Sequence, residues 1–295
     1  MNKLSHIVIG AGRSGSTQLC AYIEQHPKIC SSIIKEVSFF SIEEHYRKKE
    51  KYLYFFFDCN RNQEVLSTCD TYIHFDEKAI KRIYDFNPEI KLTFILRNPI
   101  QRAYSNYYYA INNGHDSRNI SFIDSLNEEK EILKKGNIIE IDNLCHFYTS
   151  LYYSQLKLIL KYFKRDQLLI CTFDELIHNP QNLLNRVFDF LNIESYQIQQ
   201  INMQNSASRV KHKAIQQFLI NRNHPLRKLL RKPLQLKILK KIIIKSKIIE
   251  RIHTNNRINI KNPSMTEKEI NFCKNYFKDD LIGLKNEFDI IFNDL

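Results

Sequence analysis

The chemistry-bearing residues of this chain gather first at Gly10-Ala11-Gly12-Arg13-Ser14-Gly15-Ser16-Thr17, which holds three of its six glycines. Between an apolar run and a helix-like run, such a loop lets backbone approach a phosphate closely, with free N–H groups and a helix N-terminus facing the charge. Three readings fit. The spacing Gly10-x4-Gly15 suits a nucleoside triphosphate, but Ser16 stands where a lysine should reach the outer phosphates, which disfavours an ATPase or kinase. Gly10-x-Gly12-x-x-Gly15 also matches a dinucleotide fingerprint, with Glu36 as the ribose acid of an oxidoreductase. Finally, Arg13 with the hydroxyls of Ser14, Ser16 and Thr17 suits an anionic group undergoing transfer. The loop alone leaves these open.

A second anion site is expected at Leu96-Arg97-Asn98-Pro99-Ile100-Gln101-Arg102-Ala103-Tyr104-Ser105. Arg97 closes an apolar run, and Ser105 lies two turns into the helix that Pro99 opens. In a parallel sheet the carboxyl ends of the strands share one edge, so Arg97 should lie beside the first loop.

Residues 6–10 read as a buried strand and 16–25 as a helix stopped by His26-Pro27. Strands follow at 29–34, 91–96 and 168–172. Helices are expected from an Asp76 cap to Phe86, over 99–112, over 148–163 and up to Leu191, with a capping box of Thr266 and Glu269 before a terminal helix. Strands alternating with helices predict an α/β fold, a P-loop-like parallel sheet covered on both faces. The whole chain, 1–295, reads as one domain carrying a basic helical insertion at about 209–261.

With 295 residues, 43% hydrophobic and 26% charged, the chain is neither disordered nor collagen-like. Its net charge of +12 is localised: from Arg209 to Lys261 sixteen Lys/Arg face one acid, leaving 28 cations against 31 acids elsewhere. Residues 225–233 and 237–251 read as cationic amphipathic helices, first of all core plus a solvated face, with an acceptor groove or an anionic membrane as functional alternatives. No recognition motif accompanies the charge, so nucleic acid is not expected. The seven cysteines (20, 30, 59, 69, 145, 171, 273) form no Cys-x-x-Cys pair, which predicts neither zinc nor a disulfide framework and fits a reducing compartment. No run approaches the length of a membrane span, and a strand starting at His6 leaves no room for a signal peptide, so a soluble cytoplasmic protein is expected, with 225–251 as a candidate contact at the inner membrane surface.

The loop 10–17, the run 94–105 and Lys35-Glu36-Val37-Ser38-Phe39-Phe40 together resemble the sulfotransferases that use 3′-phosphoadenosine 5′-phosphosulfate (PAPS), in particular the carbohydrate branch that includes the heparan sulfate sulfotransferases. The likeness covers roughly 6–206 and 261–292, and its first two motifs are the specific ones. It implies that Gly12, Arg13, Ser14, Gly15, Ser16 and Thr17 grip the 5′-phosphosulfate, and that Arg97 and Ser105 hold the 3′-phosphate, a clamp ATP or NAD would not satisfy equally. Arg209 and Lys211 are further candidates for the 3′-phosphate. Arg13 replaces the lysine of many relatives; it can offset negative charge on the leaving phosphate without shuttling a proton. Glu36 aligns with the general base of the glycan branch, Phe39 and Phe40 read as core, and His26 is a weaker alternative base. The implied activity moves a sulfuryl group to a carbohydrate hydroxyl, or in second place an amine, without a metal. Ser67-Thr68-Cys69-Asp70-Thr71-Tyr72 departs from the relatives' Ser-Pro-x-Tyr. A dinucleotide-dependent oxidoreductase and a non-catalytic polyanion binder are the alternatives.

Overall fold

The computed structural model describes residues 3–200, 208–212, 215–216, 252 and 255–292. In chain order the first half runs β1 (Leu4–Val8), α1 (Ser16–Ile23), β2 (Ile29–Glu36), α2 (Glu43–Tyr46), α3 (Glu50–Tyr54), β3 (Val65–Cys69), α4 (Glu77–Phe86), β4 (Lys91–Leu96) and α5 (Pro99–Asn112). There follow α6 (Ser125–Lys135), α7 (Ile138–Leu144), a 3-10 turn (Tyr148–Ser150), α8 (Tyr152–Ile159), β5 (Leu168–Thr172), α9 (Phe173–His178), α10 (Pro180–Leu191), β6 (Ser208–Val210), β7 (Arg257–Asn259) and α11 (Glu267–Phe288). The central sheet is parallel throughout, in the order β2-β3-β1-β4-β5, and β6 pairs antiparallel with β7.

Strand alternation divides the core. Ile7 and Ile9 face a layer that includes Ile80 and Ile83 of α4, Leu156 of α8 and Leu284 of α11, whereas Val8 faces Leu19 of α1, Leu176 of α9 and Leu184 of α10. Both faces are thus covered, as the alternating pattern requires. Phe39 and Phe40 are core residues, at 3% and 1% exposure. The chain moves from β1 out to β2, back through β3 and then across to β4, so the loops after β1 and β4 meet where the connections diverge, the usual place for a ligand in an open α/β sheet.

The internal strand β3, between β2 and β1, escapes the sequence reading because Ser67, Thr68 and Cys69 look like a turn. Their polarity has a partner: buried His6 meets Ser67 Oγ at 2.8 Å through Nδ1 and Thr93 Oγ1 at 2.9 Å through Nε2, a polar rung across three strands. Burial, and next Lys91, lowers the His6 pKa to about 3, so the ring is neutral.

Two expectations are corrected. The helix over 148–163 is a 3-10 turn followed by α8, because Asp280 of α11 accepts hydrogen bonds from the Tyr152 and Tyr153 backbone N–H groups at 3.2 and 2.9 Å and starts α8 there. The cysteines are not all unpaired: Cys30 of β2 and Cys59 form a disulfide with their α-carbons 5.4 Å apart. The chain returning towards β3 packs along β2, with Ile33 N–H donating to the Phe56 carbonyl at 2.7 Å, and this brings together two thiols 29 residues apart. The expected basic helices at 225–233 and 237–251 lie outside the described residues. Among those described, no helix is long and apolar enough to cross a membrane.

Candidate active site

After β1 the glycine loop stays tethered to β4, with Ala11 N–H donating to the Ile95 carbonyl at 2.8 Å and Ile95 N–H to the Gly10 carbonyl at 2.9 Å. It ends at Gly15, whose φ of +87° caps α1 in the left-handed region, and a side chain there would come within 2.8 Å of Leu176 Cδ2. No side chain caps α1, so its first N–H groups are open to an anion.

A cavity of about 1100 Å³ is lined by Arg13, Gly15, Ser16, Thr17, Arg97 and Ser105, bringing the loop and the second anion site together. Gly12 and Ser14 lie behind this wall: Ser14 is fully buried, with Oγ 3.5 Å from the Tyr152 hydroxyl. Arg209 and Lys211 are exposed and are not among the lining residues, because β6 turns Ser208 to the cavity and its neighbour away. The far wall carries Arg257 and Lys261 instead. Arg257 donates to Ser208 Oγ at 3.1 Å and Asn113 Oδ1 at 2.9 Å, and the only sequence signal near it is Lys261-Asn262-Pro263.

Both central arginines rest on aromatic faces. The Arg13 guanidinium sits 3.6 Å from the Tyr109 ring centroid and that of Arg97 4.9 Å from Phe173. Arg97 also donates to Gln101 Oε1 at 3.3 Å and to the Arg13 carbonyl at 3.5 Å. Burial lowers the Arg97 pKa, but a guanidinium remains charged at any working pH.

The carboxylate side is built from β2 and the β3–α4 loop. Five residue steps of β2, from Ser31 to Glu36, run alongside only two of β3, from Ser67 to Cys69, and the resulting bulge ends on Lys35 and Glu36. Glu36 accepts from Thr71 N–H at 2.9 Å, from Thr71 Oγ1 at 3.0 Å and from Lys35 Nζ at 3.0 Å. Lys35 also donates to Ser16 Oγ at 3.3 Å, so a lysine from β2 reaches the loop position where the triphosphate motif would have had its own. Burial is the largest influence on Lys35 and opposes its charge, but the Glu36 carboxylate together with Cys69 and Cys20 outweighs it and the net pKa is raised. Glu36 is therefore outside the lining of the large cavity and joined to it through Lys35 and Ser16. Thr71, in the segment that departs from the relatives' pattern, orients this carboxylate. Its neighbour Asp70 accepts from Ser41 Oγ at 2.8 Å, and burial, then Glu36, pushes its pKa to about 8. His26 is buried and spends both ring nitrogens locally, at 2.9 Å from the Glu194 carbonyl and as acceptor from Lys28 N–H at 3.1 Å, so it serves the helix stop.

Arg102, fully buried, anchors the loop from behind. It donates to the Gly12 carbonyl at 3.0 Å, to Ser150 Oγ at 3.1 Å and to Thr149 Oγ1. Arg102→Leu would strand these acceptors and is expected to cost about 3 kcal/mol or more of unfolding free energy. Urea denaturation should show a lower midpoint with an unchanged slope; a loss under about 1 kcal/mol would contradict the anchoring role.

Comparison with known proteins agrees with this geometry. The family model described as sulfotransferase domain matches residues 5–279. The chain is 28% identical over 204 residues to heparan sulfate glucosamine 3-O-sulfotransferase 5 of Mus musculus, covering 69% of this chain and 57% of that protein. It is 27% identical over 207 residues to the bifunctional heparan sulfate N-deacetylase/N-sulfotransferase of Drosophila melanogaster, covering 64% and 19%. The chain thus spans less than two thirds of the length of these curated relatives. A crystal structure of a sulfotransferase from Alicyclobacillus acidocaldarius shares the fold, with a TM-score of 0.68 at 20% identity, covering 100% of this chain and 98% of that one.

Proposed function

The chain belongs to the sulfotransferase family, and from that premise we propose that it moves a sulfuryl group from PAPS to a carbohydrate hydroxyl, or in second place to an amine. The observation that carries this reading is the meeting of Arg13, Ser16, Thr17, Arg97 and Ser105 in one cavity at the open N-terminus of α1. The donor set fits a nucleotide with anionic groups at two ends: N–H groups and hydroxyls of the loop at one, Arg97 with Ser105 at the other. A dinucleotide would leave the second clamp without its phosphate.

PAPS, when bound, supplies the activated sulfuryl group. The α1 N-terminus and the hydroxyls of Ser16 and Thr17 hold the phosphosulfate end, and Arg13 offsets charge developing on the leaving phosphate. Glu36 accepts the proton of the attacking hydroxyl. Its carboxylate is pre-oriented by Thr71 and Lys35, which removes rotational freedom before the acceptor arrives. The names of the relatives, which act on heparan sulfate, support a glycan acceptor, as both O- and N-sulfotransferases are among them. The cationic sequence of 225–251 suits contact with a polyanionic glycan or an anionic membrane, and neither calls for nucleic acid.

The test is transfer of radiolabelled sulfate from PAPS to unsulfated and N-sulfated heparosan. Label entering either polysaccharide is expected. Protein that binds both components yet labels none of a panel of glycans would overturn the reading.

A further inference from the structure

Directly behind the loop lies a small polar space that the reaction as described does not use. A methyl group built on the Gly12 α-carbon would meet Asp142 Oδ1 at 3.7 Å, and Arg102 Nη2 and Thr71 Oγ1 each at 3.9 Å, all ordinary contact distances. There is accordingly room for about one small group over Gly12, walled by three polar atoms from three elements. Two of them are conspicuous. Arg102 is fully buried, and its Nη2 has no protein partner although its other two nitrogens are well bonded. Asp142, on α7, keeps its Oδ1 enclosed without a protein partner, although the residue as a whole is only half-buried. The two charges do not meet each other in an ion pair, and a buried polar atom left without a hydrogen bond is costly, more so when it is charged.

We propose that a single water molecule, held over the Gly12 α-carbon by Arg102 Nη2, Asp142 Oδ1 and Thr71 Oγ1, ties the buried arginine to the Glu36 carboxylate and fixes the orientation of that carboxylate for catalysis. The inference rests on the reading of Glu36 as the base. The hydrogen-bond count closes. The water accepts from Arg102 Nη2–H and donates one proton to Asp142 Oδ1 and the other to a Thr71 Oγ1 lone pair. Thr71 Oγ1–H is already directed to Glu36 Oε1 at 3.0 Å, so each of these protons has an acceptor. Three polar partners and room for a methyl-sized group meet the requirements for a buried water. Arg102, Asp142 and Thr71 are positioning residues here, acting through Glu36. The surroundings support this charge balance: burial raises the Asp142 pKa to about 6, and Arg102 and Arg13 pull it back towards ionisation.

Gly12 makes the proposal testable, because its backbone is outside the left-handed region and alanine fits there sterically while occupying the water's place. A crystal structure at about 1.6 Å resolution should show one ordered solvent peak within hydrogen-bond distance of the three atoms, displaced in Gly12→Ala. Turnover of Gly12→Ala should fall about 10- to 100-fold, with affinity for adenosine 3′,5′-bisphosphate within threefold of wild type. Thr71→Ser should keep most of the activity and Thr71→Val lose it, and adding Gly12→Ala to Thr71→Val should lower turnover little further, since both cut one chain. An empty site with Asp142 turned onto Arg102, or a Gly12→Ala protein with wild-type turnover, would overturn the proposal. Should Glu36→Gln itself turn over normally, the base assignment falls instead, whatever the solvent peak shows.

Discussion

Glu36→Gln is expected to lower turnover by about 100-fold or more while leaving affinity for adenosine 3′,5′-bisphosphate within threefold of wild type. A positioned general base contributes about 10²- to 10⁴-fold, and the amide keeps the shape of the carboxylate without its basicity. Its carbonyl oxygen, in the Oε2 place, can still accept from the Thr71 N–H, so the β3–α4 loop keeps that tether. Its amino group then takes the Oε1 place, where it faces the Thr71 hydroxyl and the Lys35 ammonium, and the 3.0 Å ion pair is lost. That loss has a small effect on binding, since Lys35 still donates to Ser16 and a partly exposed ion pair is worth under about 1 kcal/mol. Because Glu36 does not line the nucleotide cavity, the expected signature is a fall in kcat without a matching change in nucleotide affinity. Steady-state kinetics with saturating PAPS measures it, and unchanged kcat would remove Glu36 from the mechanism.

Arg97→Ala acts on the other half of the site. The side chain is largely buried, stacked on Phe173 and fixed by Gln101, so its guanidinium is pre-organised rather than freely hydrated. A charge-assisted bond to a phosphate under such conditions is worth about 1.5–3 kcal/mol, which converts to a loss of about 10- to 150-fold in affinity for adenosine 3′,5′-bisphosphate. Affinity for adenosine 5′-monophosphate, which has no 3′-phosphate, should change little. Equal losses for both ligands would place Arg97 at the shared part of the nucleotide and reassign the residue.

How much of this was legible in the sequence varies with the reach of the interaction. Where the signal is local, expectation and structure coincide: Pro99 starts α5, Asp76 caps α4, and Thr266 with Glu269 forms the capping box of α11. The apolar strand β4 runs over Lys91–Leu96 as its pattern indicates. Parallel order then brings Arg97 to the glycine loop, as the shared strand edge requires. The missed features all depend on partners distant in the chain. Ser67 and Thr68 look like loop residues until His6 is seen to need Ser67 as a neighbour. Residues 148–163 read as one helix until Asp280, more than a hundred residues away, is seen to set its start. The Cys30–Cys59 bond and the Thr71–Glu36 contact arise from chain segments that only the sheet order brings side by side. Arg257 enters the cavity through a two-stranded pairing whose strands are 47 residues apart, beyond any periodic pattern.

In the segment from Arg209 to Lys261 that carries the charge excess, the described residues fall into two groups. Ser208, Arg257 and Lys261 face the cavity, whereas Arg209 and Lys211 are turned to solvent. Among the described residues, the cations of this segment that line the cavity thus come from its end, where the chain returns to pair with β6.

The measurement that bears most directly on the central claim is calorimetric titration of the wild-type protein with adenosine 3′,5′-bisphosphate, beside adenosine 5′-monophosphate and NAD. Saturable one-to-one binding is expected, at least tenfold tighter than for the monophosphate, as a charge-assisted second phosphate contact of about 1.4 kcal/mol or more requires. No binding of the bisphosphate, or binding no tighter than that of NAD, would contradict a PAPS site in this cavity.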